Sequence, residues 1–268
     1  MDLRISGKRA LVTGASSGIG RACAIALAQE GVEVCVVGRD PDRLAAVVSE
    51  IEKGGGKAFS VSVDLSSESG CKSAMKACED AWGGVDILIN CAGAAPRGHI
   101  LHDLTRKVLN ESLELKLYSY LQLSQLAFPY MKSKGWGRIV HIAGAAATEP
   151  TVTNFAAGLA NIGILNMTRA LSDAGARDGI LVNAICPGLT NTPRARGTRR
   201  AAAERNGRSI SDAEIEEDIR QEAESTPAGR PAEPEEVARV AVFLSSEACS
   251  YVHANAIYMD GDARRATP

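Results

Sequence analysis

Three closely spaced glycines, Gly14, Gly18 and Gly20, are the residues whose spacing points most directly to chemistry. They follow the apolar run Ala10-Leu11-Val12 and precede a stretch with helical spacing from Arg21 to Glu30. Glycine lets the backbone turn tightly and approach a pyrophosphate, which then binds the free N–H groups at the helix N-terminus. The motif therefore predicts a dinucleotide-binding turn. The residues predicted to contact the cofactor there are Gly14, Ser16, Ser17, Gly18, Ile19 and Gly20.

Aliphatic runs that alternate with helical segments must position this turn. The runs that predict strands are Ala10 to Val12, Val32 to Val37, Ala58 to Val63, Ile87 to Asn90, Arg138 to Ile142, Ile180 to Ile185 and Ala256 to Met259. Pro41 to Lys53 has helical spacing, as does the segment after the glycine turn. Strands and helices in alternation give right-handed crossovers and a parallel sheet. We therefore predict an α/β fold, a single Rossmann-type domain over residues 1–268 whose doubly wound, seven-stranded parallel sheet has helices on both faces.

Composition restricts the class of protein further. The chain has 268 residues, of which 45% are hydrophobic and 4% aromatic, so an aliphatic core with strands buried on both faces is expected. A net charge of -2 gives no reason to expect nucleic acid or a membrane surface as a partner. The seven scattered cysteines, without a C-x-x-C pair, are typical of reduced thiols in a cytoplasmic protein. No apolar signal region and no uncharged run approaching ~20 residues is present, so neither secretion nor a membrane span is expected.

Several further segments follow the glycine turn at sensible distances. They are Asp64-Leu65, Asn90-Cys91-Ala92-Gly93, Pro187-Gly188-Leu189-Thr190-Asn191-Thr192, Arg230 to Ala238 and Asp260-Gly261. Together with Thr13 to Gly20, they resemble the short-chain dehydrogenase/reductase family over nearly the whole chain. The resemblance implies that Asp64 and Leu65 contact adenine and that the threonines after Pro187 hold the nicotinamide amide. The other cofactor-binding residues that it implies are Asn90, Ala92, Gly93, Pro187, Gly188, Thr190 and Thr192.

The end of the second predicted strand bears on which nicotinamide is bound. An acidic residue at the position of Gly38 would accept the ribose hydroxyls and repel a 2′-phosphate. Gly38 removes that acid, and Arg39 supplies a guanidinium suited to a phosphate, while Asp40 is placed to cap the helix that begins at Pro41. The sequence therefore favours NADP. NAD is the alternative, with Arg39 stacked on adenine.

The resemblance also implies a catalytic set that this sequence lacks. The family carries a serine after the fifth strand, a Tyr-x-x-x-Lys on the next helix and an asparagine on the preceding helix. The tyrosine exchanges the proton, the lysine lowers its pKa and the serine polarises the substrate oxygen. Counting from the flanking segments places Gly144 at the serine, Ala157 at the tyrosine and Asn161 at the lysine. A helix expected from Leu113 to Tyr130 places Lys116 at the asparagine.

Lysine and asparagine have thus exchanged helices, so an ammonium group would still lie near the nicotinamide. A buried cation is costly unless it is paired or useful. We therefore predict Lys116 and Asn161 as catalytic residues, with Lys116 acting as a general acid or as a fixed charge at an oxyanion. The alternative is a surface lysine, exposed or paired with Glu111 or Glu114.

Other side chains are weaker candidates for proton transfer or substrate contact. Tyr120 is one helical turn from Lys116, and Glu149 and Asn154 lie between Gly144 and Ala157. His141, within a strand, is interpreted as a core histidine. His99 and His102 are candidate substrate contacts, and no metal site is predicted, because their i, i+3 spacing has no third ligand nearby. Tyr130 and Lys134 spell Tyr-x-x-x-Lys but lie on the wrong side of the fifth strand.

Residues 194–226 are unusually charged for a connection between two sheet elements. Four arginines, Arg194, Arg196, Arg199 and Arg200, precede an acidic helical stretch from Asp212 to Asp218. We interpret the segment as a solvated helical flap beside the edge of the active site. A lid whose arginines hold an anionic substrate is the alternative.

The favoured function is an NADP(H)-dependent oxidoreductase that acts on an unidentified carbonyl or alcohol through a rearranged site. The two other hypotheses are a catalytically inactive NADP-binding sensor or partner subunit, and a lysine-dependent lyase or isomerase. Small apolar residues such as Ala145, Ala146 and Leu189 favour a hydrophobic small-molecule substrate. The resemblance further implies a homotetramer or a homodimer.

Overall fold

The computed structural model describes residues 2–93, 104–149 and 154–263. Within these ranges the strands form one parallel sheet of seven strands in the order β3-β2-β1-β4-β5-β6-β7. The strands are β1 (Arg9–Thr13), β2 (Glu33–Gly38), β3 (Ala58–Ser62), β4 (Ile87–Asn90), β5 (Gly137–Ile142), β6 (Ile180–Pro187) and β7 (Ala256–Met259). Every predicted strand is present, with ends that agree with the prediction to within two residues. The predicted doubly wound parallel sheet is confirmed.

Helices cover both faces of the sheet. They are α1 (Gly18–Gln29), α2 (Pro41–Lys53), α3 (Glu68–Trp82), α4 (Arg106–Ser112), α5 (Ser119–Lys134), α6 (Phe155–Gly175), α7 (Pro193–Arg205), α8 (Asp212–Glu224) and α9 (Pro234–Leu244). On one face, Ala10 and Val12 of β1 belong to a core cluster shared with α1 and α9. On the other face, Leu11 belongs to a cluster shared with α3 and α5. Because successive strand residues point to opposite faces, a wholly aliphatic strand fills both cores.

The start of α2 shows how local chemistry sets an element boundary. Asp40 accepts a hydrogen bond from the backbone N–H of Arg43 at 3.1 Å, and Pro41 occupies the first turn. An acidic cap followed by proline satisfies an otherwise unpaired amide and fixes the entry of the chain. The predicted capping role of Asp40 is confirmed.

The helix predicted from Leu113 to Tyr130 is not uniform. Leu113–Tyr118 forms a π-helical segment between α4 and α5. A π turn contains an extra residue, so the side chains before and after it face directions that a 3.6-residue period does not predict. The expectation of one regular α-helix there was wrong, because its periodicity carries no signal for the inserted residue.

The strand order reverses between β1 and β4, which both lie at the centre of the sheet. In open α/β sheets, ligands bind in the crevice outside the carboxyl ends of the strands at such a switch point. The glycine turn follows β1 at this edge, and the segment from Cys91 to Gly93 follows β4. Among the helices of the described ranges, none is long and apolar enough to cross a membrane.

Candidate active site

The glycine turn between β1 and α1 is closely packed against the segment that follows β4. Gly14 has a φ of +63°, and a Cβ there would lie 2.9 Å from the backbone of Ala92. A Cβ at Gly20 would lie 2.4 Å from the carbonyl oxygen of Gly14, so neither position has room for a side chain. The N-cap residue Ser17 gives the helix no side-chain hydrogen bond. The first amides of α1 therefore remain available for an anion in the adjoining cavity.

Thr13 ties the two central strands together at this edge. Its Oγ1 accepts hydrogen bonds from the backbone N–H groups of Cys91, at 2.9 Å, and Ala92, at 3.0 Å. Asn90, predicted to bind the cofactor, is fully buried one residue earlier and does not line the cavity. Its Nδ2 lies 3.2 Å from Nδ1 of His141. This side chain is therefore placed to join β4 to β5 beneath the site rather than to reach a ligand directly.

The nucleoside end of the cavity is lined by Gly38, Arg39, Val63 and Leu65. Gly38, the last residue of β2, carries no carboxylate. A Cβ at this position would make only ordinary contacts, at 3.4 Å from Leu44 and 3.6 Å from Ser16. Asp64 accepts hydrogen bonds from the N–H and hydroxyl of Ser66, which lower the pKa of this carboxyl, and the charge of Arg39 acts in the same direction. This end of the cavity is therefore lined by a guanidinium, next to a position that carries no carboxylate.

The segment after β6 closes the cavity from the opposite side. Thr192 is the N-cap of α7, where its Oγ1 accepts the N–H of Ala195 at 3.2 Å. Its methyl group would lie 3.3 Å from a Cβ at Gly18, so the glycine turn and this threonine face each other closely. Pro187, Gly188 and Thr190 line the same cavity. These residues therefore surround the space between the glycine turn and the end of β5.

Lys116 reaches the reaction end of the cavity from the π-helical segment. Its side chain is buried, and its Nζ donates a hydrogen bond to the carbonyl oxygen of Ala143 at 2.8 Å. The stem of the side chain packs on Gly93, where a Cβ would lie only 3.1 Å from it. The alternative of an exposed lysine is wrong, because Nζ is held at the end of β5 inside the site.

Asn161 meets Gly144 beside this ammonium group. A Cβ at Gly144 would lie 2.8 Å from Nδ2 of Asn161, which therefore occupies the space of a side chain at that position. Asn161 is only 4% exposed, and its Oδ1 is buried without a hydrogen-bond partner among the described residues. Ala157, one turn earlier on α6, also lines the cavity. An unpaired buried acceptor at a cavity wall is suited to a ligand hydroxyl or a water.

One continuous cavity of about 810 Å³ joins these parts. It is lined by the four positions at which the family's catalytic set was expected, Lys116, Gly144, Ala157 and Asn161, and by the glycine turn. Glu149 and Asn154 line it too, as anticipated. The volume is within the range of small-molecule and cofactor sites.

Other candidates from the sequence lie away from the cavity. Tyr120 is fully buried and its hydroxyl donates to the carbonyl oxygen of Ile142 at 3.2 Å; burial raises its pKa. His141 is buried and stacked on Tyr120, and burial lowers its pKa to about 3, which agrees with a neutral core histidine. Lys134 is paired with Asp86 at 2.6 Å, at the amino end of β4, so Tyr130 and Lys134 lie far from the site. His99 and His102 are outside the described residues.

The charged segment contributes residues to the site, of which sequence reasoning had considered only Arg194, in the alternative of a lid whose arginines hold an anionic substrate. Arg194, Thr198, Ala202 and Arg205 of α7 line the cavity, together with Glu222 of α8. Their spacing of four, four and three residues places those of α7 on one helical face. The spacing was visible in the sequence. It identifies a cavity-facing side of α7 only once the structure shows that other residues of α7 contact α8.

The fold and this cavity define a dinucleotide-binding α/β protein of the Rossmann type, with its ligand crevice at the switch point of the sheet. A family model described as Enoyl-(Acyl carrier protein) reductase matches residues 14–262. The chain belongs to the short-chain dehydrogenase/reductase family of oxidoreductases, as its motifs predict.

Relatives with named activities cover almost the whole chain. The 3-oxoacyl-[acyl-carrier-protein] reductase FabG of Aquifex aeolicus is 32% identical over 263 residues, which are 97% of this chain and 99% of that protein. The L-sorbose reductase of Gluconobacter frateurii, solved with NADPH and L-sorbose, has a TM-score of 0.93 at 30% identity and covers 100% of both chains. A variant of the actinorhodin polyketide ketoreductase, solved with NADPH, has a TM-score of 0.89 at 30% identity over 97% of this chain and 98% of its own.

Proposed function

We propose that the protein is an NADP(H)-dependent oxidoreductase for a carbonyl or alcohol substrate, in which Lys116 replaces the family's tyrosine at the substrate oxygen. The observation that carries the proposal is the position of Nζ, buried in the cavity wall and hydrogen-bonded to Ala143 at 2.8 Å. Desolvating an ammonium is costly, which supports a role of this buried lysine at the site. Asn161 and Glu149 are the neighbouring polar groups of the wall.

The residues present fit NADP(H). The uncapped amides of α1 and the crowded glycine turn suit a pyrophosphate, and Arg39 suits a 2′-phosphate because the neighbouring position, Gly38, carries no carboxylate. NADPH is the ligand of the L-sorbose reductase and of the ketoreductase described above, which supports the same choice. When bound, the nicotinamide supplies or accepts the hydride at the carbon of the substrate.

Lys116 would act on the oxygen of that carbon. In the reductive direction, the C=O π bond breaks as hydride reaches carbon, and negative charge develops on oxygen. The ammonium group stabilises this charge and transfers a proton to the oxygen, and the resulting amine regains its proton from solvent. The backbone carbonyl of Ala143 fixes Nζ before the reaction, so little reorganisation is needed. The Asn161 side chain would hold the substrate hydroxyl or a water in the relay.

The hypothesis is tested by cofactor binding and turnover of purified protein. NADPH and NADH affinities are measured by titration calorimetry, and NADPH oxidation is followed with benzaldehyde, cyclohexanone, L-sorbose and 2-oxobutanoate. Lys116→Met retains an unbranched apolar stem and removes the ammonium group. Lys132→Met, at a 66% exposed lysine paired with Asp178, is the matched control.

The proposal expects NADPH to bind more tightly than NADH, and Lys116→Met to lower kcat/KM by ~100-fold or more while NADPH binding is kept. Tight NADPH binding without turnover in the wild type would instead support the sensor hypothesis. Trapping of Lys116 by borohydride with a carbonyl substrate would support a lysine-dependent lyase or isomerase.

The same proposal includes a homo-oligomer and a reducing compartment. Phe155, Leu159 and Ile162 form an exposed apolar stripe along α6, at the i, i+4, i+7 spacing of one helical face, and such a stripe suits a second copy of the chain.

All seven cysteines are free thiols. Free buried thiols support a cytoplasmic location.

A further inference from the structure

The π-helical segment Leu113–Tyr118, which carries Lys116, is followed by Ser119, the first residue of α5. The backbone N–H of Ser119 donates a hydrogen bond to the carbonyl oxygen of Glu114, five residues earlier. In a regular α-helix, the same N–H would donate to the carbonyl oxygen four residues earlier, which is that of Leu115. The π turn therefore takes this amide away from Leu115.

The side chain of Ser119 compensates for this change. Its Oγ donates a hydrogen bond to the carbonyl oxygen of Leu115 at 2.7 Å, and the residue is only 1% exposed. The hydroxyl thus binds the acceptor that the amide of the same residue would bind in an α-helix. A carbonyl that is withdrawn from water and left without a partner is costly. The hydroxyl therefore stabilises the π turn relative to a regular α-helix.

Helix α6 packs against the same part of the chain. Oγ of Ser112, at the end of α4, donates a hydrogen bond to the carbonyl oxygen of Ala156 at 3.3 Å. A Cβ at Gly163 would lie 3.0 and 3.2 Å from the two Cδ atoms of Leu117, so this leucine packs directly on the backbone of α6. These contacts hold the π-helical segment against the helix that also carries Asn161.

The π turn determines where Lys116 points. One extra residue rotates the side chains that follow it by about 100° relative to a regular α-helix. As it stands, the stem of Lys116 packs on Gly93, and Nζ donates a hydrogen bond to the carbonyl oxygen of Ala143 at 2.8 Å. A regular α-helix over the same residues would turn this side chain away from Ala143 unless α4 or α5 rotated.

We propose that Ser119 is a positioning residue for Lys116. Its hydroxyl stabilises the π turn, and the π turn holds Nζ at the reaction end of the cavity. Ser119 does not itself line that cavity, so it acts only through Lys116. The effect on turnover rests on the proposed function, whereas the position of Nζ can be measured without turnover.

Three variants separate this role from a general effect on the fold. Ser119→Ala removes the hydroxyl and leaves the backbone amide in place. Ser119→Thr retains the hydroxyl, and Thr168 of α6 makes the same kind of hydrogen bond, to the carbonyl oxygen four residues earlier, at 2.7 Å. Ser245→Ala is the matched control, because Ser245 is fully buried and its Oγ donates to the carbonyl oxygen of Ala241 at 2.7 Å.

Two measurements are made on each protein. Acetic anhydride, applied at low concentration and followed by peptide mass spectrometry, gives the rate at which each lysine is acetylated and needs no catalysis. NADPH oxidation with the best substrate of the panel above gives kcat and KM, and calorimetry gives the NADPH affinity. Thermal midpoints show how much each substitution affects stability.

In Ser119→Ala, acetylation of Lys116 should be about tenfold faster and kcat about tenfold lower, because Nζ is no longer held at Ala143. Acetylation of the exposed Lys132 and the NADPH affinity should not change. Ser119→Thr should stay within about threefold of the wild type in both measurements. Ser245→Ala should change neither, even where it lowers the thermal midpoint.

A second substitution at Lys116 tests whether Ser119 acts through the ammonium group. In a Lys116→Met background, Ser119→Ala should lower kcat no further, because the group that Ser119 positions is already gone. A role in the stability of the fold alone would instead reduce kcat by the same factor in both backgrounds.

Three results would overturn the proposal. The first is an unchanged acetylation rate of Lys116 in Ser119→Ala. The second is a Ser119→Thr variant as impaired as Ser119→Ala, and the third is an equal loss of kcat with and without Lys116→Met. If Lys116 becomes more reactive in Ser119→Ala while the wild type oxidises no NADPH with any substrate, the proposed redox function fails and the positioning role stands.

Discussion

At the scale of single residues, Gly144 and Asn161 are adapted to each other. The backbone of Gly144 is extended, with φ 166° and ψ 151°, so no conformational reason requires glycine there. The reason is space, because Nδ2 of Asn161 would lie 2.8 Å from a Cβ at Gly144. The glycine at position 144 and the asparagine at position 161 are therefore physically linked.

This link predicts a non-additive pair of substitutions. Gly144→Ala should lower the free energy of unfolding by about 1–3 kcal/mol, because the added methyl group displaces a buried side chain. In an Asn161→Ala background, the same change should cost less than half as much, since the obstructing amide is gone. Urea unfolding of the four proteins measures the coupling. Strict additivity would show that Asn161 does not restrict Gly144.

His141 predicts how stability depends on pH. Burial lowers its pKa from 6.5 to about 3, so the unfolded chain binds a proton near pH 6.5 that the folded protein does not accept. The folded state therefore loses stability as pH falls through this window, by about 1.4 kcal/mol per unit from this residue alone. His141→Gln should remove that part of the slope. Urea midpoints between pH 7 and pH 4 measure it, and equal slopes in both proteins would contradict the assignment.

The sequence predicted most of the positions that line the site, but not where their side chains point. Counting along the motifs brought Lys116, Gly144, Ala157 and Asn161 to one cavity, because parallel strands end at one edge. The contact between Nζ of Lys116 and Ala143 depends on the path of the helical segment that carries Lys116. The side-chain types in the sequence do not predict that path. Asn90 lies outside the cavity lining for the same kind of reason, since its Nδ2 contacts Ser124 of α5 and His141 of β5.

At the scale of elements, the charged pair α7 and α8 buries a few aliphatic side chains of its own. Ile215 of α8 is fully buried, and a capping box between Ser211 and Glu214 starts the helix. The predicted acidic helix is present, but its length and partners could not be foreseen, because charge pattern alone fits an isolated solvated helix as well as a paired one. The ion pairs to α7 are mostly exposed and contribute little individually.

Ile215→Ala should therefore loosen this pair without unfolding the sheet. Hydrogen exchange of amides in α7 and α8 should become faster, with a local opening free energy reduced by about 2–4 kcal/mol, while β4 and β5 are unchanged. Asp218→Ala, at an exposed position of the same helix, is the control. Faster exchange in the central strands as well would mean that α7 and α8 unfold only with the whole protein.

At the scale of the whole molecule, the fold was the most predictable feature. Each strand is an aliphatic run bounded by turn residues, and the order of motifs along the chain matches one known family, so local and global signals agree. The π-helical segment at Leu113–Tyr118 is the exception, because inserting one residue changes direction without changing composition. Assembly is less predictable, since an exposed stripe does not specify its partner.

The stripe on α6 nevertheless predicts self-association. Leu159 is 41% exposed and Ile162 is 45% exposed, so a charge placed there should prevent a second copy from packing. Leu159→Arg is expected to reduce the sedimentation coefficient to that of a monomer. Glu52→Arg on the exposed side of α2 serves as the control. An unchanged coefficient in Leu159→Arg, or a monomeric wild type, would exclude this interface.

The central claim is that the ammonium group of Lys116 performs the work of the missing tyrosine. Single-turnover oxidation of bound NADPH by 2-oxobutanoate or cyclohexanone, followed by stopped flow, tests it most directly in the wild type and in Lys116→Ala. The account predicts a rate at least ~100-fold lower in the variant, with part of it restored by added methylammonium. A variant that transfers hydride at the wild-type rate would contradict it, and the proton would then have to come from another group.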